Sequence, residues 1–408
     1  MLVEKLVQET LGIKDHRVVL VEGDRCGLKV YLERIRRHRL PCSCCGERSK
    51  VRDRRPERCW MHVPFWGIPV TLHYRPTRVI CSKCGLQMEK IPWSVGKSRL
   101  SLPLITVLAT WSRLLAWKTV AEMVGLAWGT VRSAVESAVQ YGLEHRDTSE
   151  VLYLGIDEIS VKKGHRYVTQ VYDLAQKRLL WSGEGRKEET LDRFFTEWGP
   201  ERCARIRGLC CDMWKPYMKQ IQAHCPVAVM VFDKFHLIRH LLQAVDEVRK
   251  QEAFELRKKD PDVLKGTKYI WLKNPWNLTP RQKERFGYLA RLNLKVNKAY
   301  IFKEAFRQLW DYKSVGQAAA YLNKLIWWAT HSRIQPLVRF GKLLRAHQEG
   351  ILAWFRIPLN NGATEAMNNN AKQISHRCHG FRTTTTYINN LYHCLGKMPV
   401  PQTTHRFL

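Results

Sequence analysis

Apolar residues recur at helical spacing between Leu102 and Trp117, at Leu104, Leu108, Trp111 and Leu115. The following KTVAEMVGLAWGTVRSAVESAV sets Val120, Met123 and Val124 on one face. It turns at Gly125 and sets Val131, Ala134, Val135 and Ala138 on a second. This spacing predicts helix, turn, helix, with Trp128, Thr130, Arg132 and Ser133 pointing away from the core, free to enter a groove in DNA. From residue 151 the pattern shortens. YLGIDEIS, RYVTQVYDL and QKRLLWSGEG read as strands, with KKGH a hairpin turn between the first two. KEETLDRFFTEWG reads as an amphipathic helix with Leu191, Phe194, Phe195 and Trp198 on one face. ARIRGLCCD is a fourth strand, WKPYMKQIQAHCP a helix and VAVMVFDKFH a fifth strand.

Three strands, helix, strand, helix, strand is the order of a ribonuclease-H-like α/β domain. Within it, Asp157 lies in the first strand among Val151, Leu152, Leu154, Ile156 and Ile159. A carboxylate there costs stability unless something binds it. Asp212 ends the fourth strand, the neighbour of the first in such a fold, so the two carboxylates can converge. Oxygen-only ligation suits Mg²⁺ or Mn²⁺, and two such ions can serve displacement at phosphorus. That chemistry needs a third acid, and Glu365 is the candidate. In LNNGATEAMNNNAKQISHRCHGFR, Gly362 and Thr364 can begin a helix. Glu365, Asn368, Asn369, Lys372 and His376 then form a polar stripe, with Ala366, Ala371 and Ile374 opposite. Glu158, adjacent to Asp157 in the strand, faces the other side and is not expected to be a ligand.

The cysteines add a second centre. LPCSCCG and VICSKCG each hold Cys-x-x-Cys before a glycine: Cys42 and Cys45, then Cys81 and Cys84, with 35 residues between the pairs. This spacing predicts a zinc ribbon with a closed, structural metal. The intervening residues read as strands turned at FWGIP and YRPT. Cys44 is an alternative to Cys45, and Cys59, His62 and His73 are outside candidates. Cys203, Cys210, Cys211, Cys378 and Cys394 read as small core residues.

Of 408 residues, 68 are Lys or Arg and 37 Asp or Glu, a net charge of +31 spread along the chain. Such an excess calls for a polyanionic partner. The 45% hydrophobic content is that of a globular chain. The N-terminus does not read as a signal peptide, and no run approaches the roughly 18 apolar residues of a membrane span. A cytosolic protein with reduced cysteines is expected.

GIDEISVKKGHRYVTQVYDL, CDMWKPYMKQIQAHCPVAVMVFDKFHLIRHL, LKNPWNLTPRQKERF and NNGATEAMNNNAKQISHRCHGFRTTTTYINN resemble the ISL-type insertion-sequence transposases of the DDE superfamily. The resemblance implies a catalytic triad of Asp157, Asp212 and Glu365, separated by 55 and 153 residues. It also implies a helical insertion at residues 240–350, where DEVRKQEAFELRKK, TPRQKERFGYLARL, YIFKEAFRQLWDYK and VGQAAAYLNKLIWWAT read as helices. The expected domains are a zinc-ribbon domain (1–95), a helix-turn-helix (96–148), the first catalytic part (149–239), the insertion (240–350) and the last catalytic part with the Glu365 helix (351–408). Asp233 and His236 match an auxiliary signature of related superfamilies, although Asp233 is itself an alternative second acid. Lys372, His376 and Arg377, if they face the pocket, would stabilise phosphate charge. The implied activity is Mg²⁺-dependent cleavage and strand transfer at terminal inverted repeats by a homodimer or larger assembly, in a bacterial cytoplasm on the nucleoid. A non-catalytic zinc-dependent regulator and a nuclease without strand transfer are the alternatives.

Overall fold

The computed structural model describes residues 3–11, 13, 15–35, 38–94, 96–162, 166–359 and 362–401. Residues 163–165 of the expected hairpin turn lie outside the described residues. The chain divides into two compact units. One comprises Met1–Asp147 with Ala371–Leu408, the other Thr148–Asn370.

The first unit begins with α1 (Val3–Leu11). Strands β1 (His16–Asp24), β2 (Gly27–Arg34), β3 (Arg39–Pro41), β4 (Arg48–Arg54), β5 (Arg58–Phe65), β6 (Ile68–Tyr74), β7 (Thr77–Cys81) and β8 (Gly85–Met88) follow. They form two four-stranded sheets, ordered β1-β2-β6-β5 and β3-β4-β7-β8. The residues between the two cysteine pairs are therefore not all ribbon, because the β5–β6 hairpin joins the other sheet. That sheet has a sizeable core, with Trp60, Leu72 and Val30 fully buried and Trp93 against them. The ribbon sheet buries only Leu40, Cys42, Val79 and Cys81.

Helices α2 (Leu102–Leu114), α3 (Trp117–Val124) and α4 (Trp128–His145) follow, with Gly125 capping α3. Leu104, Leu108, Val120, Val131, Ala134, Val135 and Ala138 are buried as the spacing predicts. Two details differ. Helix α2 stops at Leu114, because Ala116 is extended and buried Trp117 opens α3. Met123 is 59% exposed, because α3 packs through Trp117, Val120 and Ala121, one turn of i, i+3, i+4 contacts.

The second unit opens with β9 (Tyr153–Lys162), β10 (Arg166–Asp173) and β11 (Arg178–Glu184), then α5 (Glu188–Trp198), α6 (Pro200–Cys203), β12 (Gly208–Cys211), α7 (Lys215–His224) and β13 (Val229–Phe232). The sheet order is β11-β10-β9-β12-β13. The first three strands are antiparallel, and β12 lies parallel to both β9 and β13. The first and fourth strands of the sequence reading are thus neighbours. Leu191, Phe194, Phe195 and Trp198 of α5 are buried.

A helical stretch follows: α8 (Lys234–Glu255), α9 (Lys268–Leu272), α10 (Pro280–Ala290), α11 (Lys295–Gln308), α12 (Val315–His331), α13 (Gln335–Ala346) and α14 (Gln348–Ala353). Helix α8 starts at Lys234, twelve residues before the DEVRKQEAFELRKK stretch, and the Asp233 side chain caps it by accepting from the Phe235 N–H. Helix α15 (Gly362–Arg377) contains the division between the units, and α16 (Thr384–Leu395) belongs to the first. Among the described residues, no helix is long and apolar enough to cross a membrane.

Candidate active site and metal centre

Asp157 sits half-buried in the middle of β9. Beside it, Cys210 of β12 pairs with Gly155. Continuing that parallel register carries Asp212, the first residue past β12, level with Asp157. Asp212 Oδ1 accepts from the Met213 N–H at 2.7 Å, and its Oδ2 lies 2.8 Å from His236 Nδ1. The other ring nitrogen of His236 is 3.7 Å from Asp233 Oδ2. His236, on the first turn of α8, therefore stands between two carboxylates that leave adjacent parallel strands.

Electrostatics mark this cluster as crowded with negative charge. Burial pushes the Asp157 carboxyl above its ordinary value, and the charges of Asp233 and Asp212 push the same way. Burial would also raise Asp212, but the His236 ring and the Met213 N–H outweigh it and hold that carboxyl low. For His236 burial alone would favour the neutral ring, and the hydrogen bond and charge of Asp212 raise it instead. Carboxylate oxygens are the donors that hard divalent cations take; among the described residues, no three of Asp157, Asp212, Asp233 and His236 have donor atoms all within 4.8 Å of one another. Glu158 turns to Tyr217, and burial raises its carboxyl.

Helix α15 brings the third expected acid. Its buried positions are Thr364, Met367, Asn368, Ala371 and Ile374. Ala371 and Ile374 were expected on that face. Ala366 was too, and it is exposed; Asn368, expected on the polar stripe, is buried. The helix is rotated from the sequence reading because Asn368 has polar partners inside. Its Nδ2 donates to Asp157 Oδ2 at 2.6 Å, and its Oδ1 accepts from the Tyr172 hydroxyl at 2.8 Å. Glu365, one turn earlier, has an exposed side chain. Among the described residues, the donor atoms of Asp157, Asp212 and Glu365 do not all come within 4.8 Å of one another.

Lys372 and His376 are exposed. Arg377 donates from Nη1 to the carbonyls of Arg113 and Leu114, where α2 ends. The sequence reading missed Asn368 as a partner of Asp157, and with it Tyr172 and Gln170. The available signal was a glutamine and a tyrosine two apart on the apolar strand VTQVYDL, which share one face.

In the first unit, Cys42, Cys45, Cys81 and Cys84 present four sulfurs all within 4.8 Å. Each pair sits in a tight turn between strands: β3 to β4, and β7 to β8. Gly46 and Gly85, at φ of 75° and 70°, close these turns. Cys45 Sγ and Cys81 Sγ are 3.5 Å apart, close to the edge of about 3.8 Å that a tetrahedron with bonds of ~2.3 Å requires. The N–H groups of Cys84 and Lys83 and the Ser49 hydroxyl bring the Cys81 thiol down to about 6, while neighbouring sulfurs, Cys45 first, push Cys84 up. Crowded thiols of this kind fit a thiophilic metal. Cys44 lies outside the set.

Cys59 and His73 form a separate group with Glu57. One ring nitrogen, His73 Nδ1, faces both, at 2.9 Å from Glu57 Oε1 and 3.3 Å from Cys59 Sγ. His62 is buried against Ser101, 2.8 Å away. Cys203, Cys210 and Cys211 are buried and Cys378 and Cys394 half-buried. On α4, Trp128, Arg132 and Ser133 are exposed and Thr130 half-exposed. Trp128 leans on Trp117, and Arg132 pairs with Glu136 at 2.8 Å.

A family model for transposases of the ISL3 DDE type matches residues 154–391, from the strand of Asp157 through the helix of Glu365. The transposase for insertion sequence element IS1001 of Bordetella parapertussis is 30% identical over 389 residues, covering 94% of this chain and 96% of that protein. The transposase for insertion sequence element IS1557 of Mycobacterium tuberculosis is 28% identical over 374 residues, 85% of this chain and 84% of its own. The matched span contains all three acids, and the chain belongs to the ISL3-type family of DDE transposases.

Proposed function

We propose that this transposase binds the terminal inverted repeats of an insertion sequence and cleaves and joins DNA strands through Asp157, Asp212 and Glu365. The observation that carries this reading is the placement of Asp157 and Asp212 at one level of two adjacent parallel strands, with the Glu365 helix tied to Asp157 through Asn368. The domain has the strand order of a ribonuclease-H-like fold, with residues 240–350 as its insertion. The three acids would hold two Mg²⁺ or Mn²⁺ ions. Bound there, such ions supply positive charge to both the attacking and the leaving oxygen at phosphorus.

The chain's own residues do the rest. Asp157 presents a carboxylate fixed at both oxygens, by the Glu158 N–H and by Asn368. His236 holds Asp212 in place, and Asp233 supports His236 as an auxiliary residue. Lys372 and His376 offer charge to the phosphate backbone. Cys42, Cys45, Cys81 and Cys84 hold a structural Zn²⁺ that closes the ribbon. Helices α3 and α4 act as a helix-turn-helix, with Trp128, Thr130, Arg132 and Ser133 toward DNA. Joining two element ends requires at least a homodimer.

Labelled element ends incubated with the protein and Mg²⁺ test this. Strand-transfer products are expected, and Asp157→Ala, Asp212→Ala and Glu365→Ala each abolish them while end binding persists. Cuts without joined products would make the protein a nuclease. An active Asp212→Ala with an inactive Asp233→Ala would move the second acid to Asp233.

A further inference from the structure

Helix α15 meets β9 at two matched points. Thr364 lies over Gly155 and Asn368 over Asp157. Four helical residues rise about 6 Å, and two strand residues advance about 6.6 Å, so both contacts form together. Gly155 makes the first possible, since a Cβ there would stand 2.5 Å from Thr364 Oγ1 and 2.7 Å from Leu174. The second is polar and buried. Asn368 is 7% exposed, and Tyr172 and Gln170 are fully buried.

Behind Asn368 runs a chain of donors. The Tyr172 oxygen lies against the Gln170 side chain as well as Asn368, and a phenol has one hydrogen to give. As placed, Gln170 Nε2 is buried without a partner. Turning the Gln170 amide over removes the competition for that one hydrogen. Its nitrogen then donates to the Tyr172 oxygen, the Tyr172 hydroxyl to Asn368 Oδ1, and Asn368 Nδ2 to Asp157 Oδ2. Each link fixes the direction of the next, and the chain ends on the carboxylate. A carboxylate beside Asp212 and Asp233 is stabilised by the amide donor of Asn368, whereas an acid at 368 would add to the repulsion.

We infer that Asn368 is a positioning residue of the transposition reaction: it orients the Asp157 carboxylate and, being one turn from Glu365 on the same helix, sets where Glu365 stands relative to Asp157. This rests on Asp157 and Glu365 being the acids proposed above. Asn368 is 7% exposed and its side chain is spent on Asp157 and Tyr172, so its loss is expected to affect metal use and leave end recognition alone. Outer partners of ligating carboxylates typically contribute about 10–100-fold in metal affinity or activity.

The test uses the full chain. Asn368→Ala is expected to lower Mg²⁺-dependent end cleavage on the order of 10–100-fold, to raise the Mg²⁺ concentration for half-maximal cleavage, and to weaken Mn²⁺ binding measured by electron paramagnetic resonance without DNA. End binding stays at the wild-type level. Tyr172→Phe, which removes the hydroxyl that donates to Asn368 and faces Gln170, shifts the same Mn²⁺ affinity by a smaller factor, and it decides the matter if Asn368→Ala does not fold. Wild-type metal dependence in either folded variant overturns the inference. Asp157→Ala is measured alongside. If it still cleaves, the assignment of the acids has failed; if it is inactive while Asn368→Ala is normal, only the role of Asn368 has.

Discussion

His16 is fully buried, edge-on to Tyr74 and Trp93 at ring distances of 5.1 and 4.8 Å, and among the described residues neither ring nitrogen has a partner. Burial, aided by the charge of Arg34, lowers it to about 3. The folded chain therefore keeps this ring neutral where an unfolded chain, titrating near its ordinary 6.5, takes a proton. The sign follows: His16 adds no protonation penalty above about pH 6.5, and stability falls as pH drops from there toward 3. Urea unfolding of the full chain should show a pH slope over that range, and His16→Phe, which keeps the edge contacts, should flatten it. An unchanged slope would show that His16 is protonated in the fold. Nothing in DHRVVL marks this residue as buried. Asp157 was legible because a charge within an apolar strand demands a partner. Asn368 was not, because an asparagine on a helix is polar in either orientation and only Asp157 and Tyr172 decide which way it faces.

Among the elements, those with strong periodicity or fixed spacing were readable: α5, α10 to α12, the order of strands β9 to β13, and the cysteine turns. Boundaries set by tertiary contact were not, such as the start of α8 at the Asp233 cap or the break between α2 and α3 at Trp117. The β5–β6 hairpin has the residues of a ribbon strand pair, and its place in the other sheet comes from pairing with β2, a contact distant in sequence. The ribbon sheet has the smallest core described, four buried residues of which two are cysteines. With the proposed ion bound at the four sulfurs, much of its stability would come from that ion. Chelation at neutral pH, or Cys42→Ser, is expected to expose the amides of β3, β4, β7 and β8 to hydrogen exchange while β9 to β13 stay protected. Protection unchanged after metal removal would show that the strands hold themselves.

Over the whole molecule, the charge of +31 and the acidic cluster serve opposite ends. The first draws the phosphate backbone, a contact that weakens steeply with salt. The second repels it unless cations intervene. Acids so far apart along the chain converge only if the helical stretch of residues 240–350 returns the polypeptide to β9, as the Asn368–Asp157 hydrogen bond does. The meeting of Asp157, Asp212 and Glu365 around shared cations is the central claim, and it can be measured without catalysis. Fe²⁺ in place of Mg²⁺, with ascorbate and peroxide, releases radicals that cut the polypeptide beside the metal. With element-end DNA bound, the cuts should fall near residues 157, 212 and 365 and disappear with excess Mg²⁺. Cuts near 157, 212 and 233 with none near 365 would contradict the account.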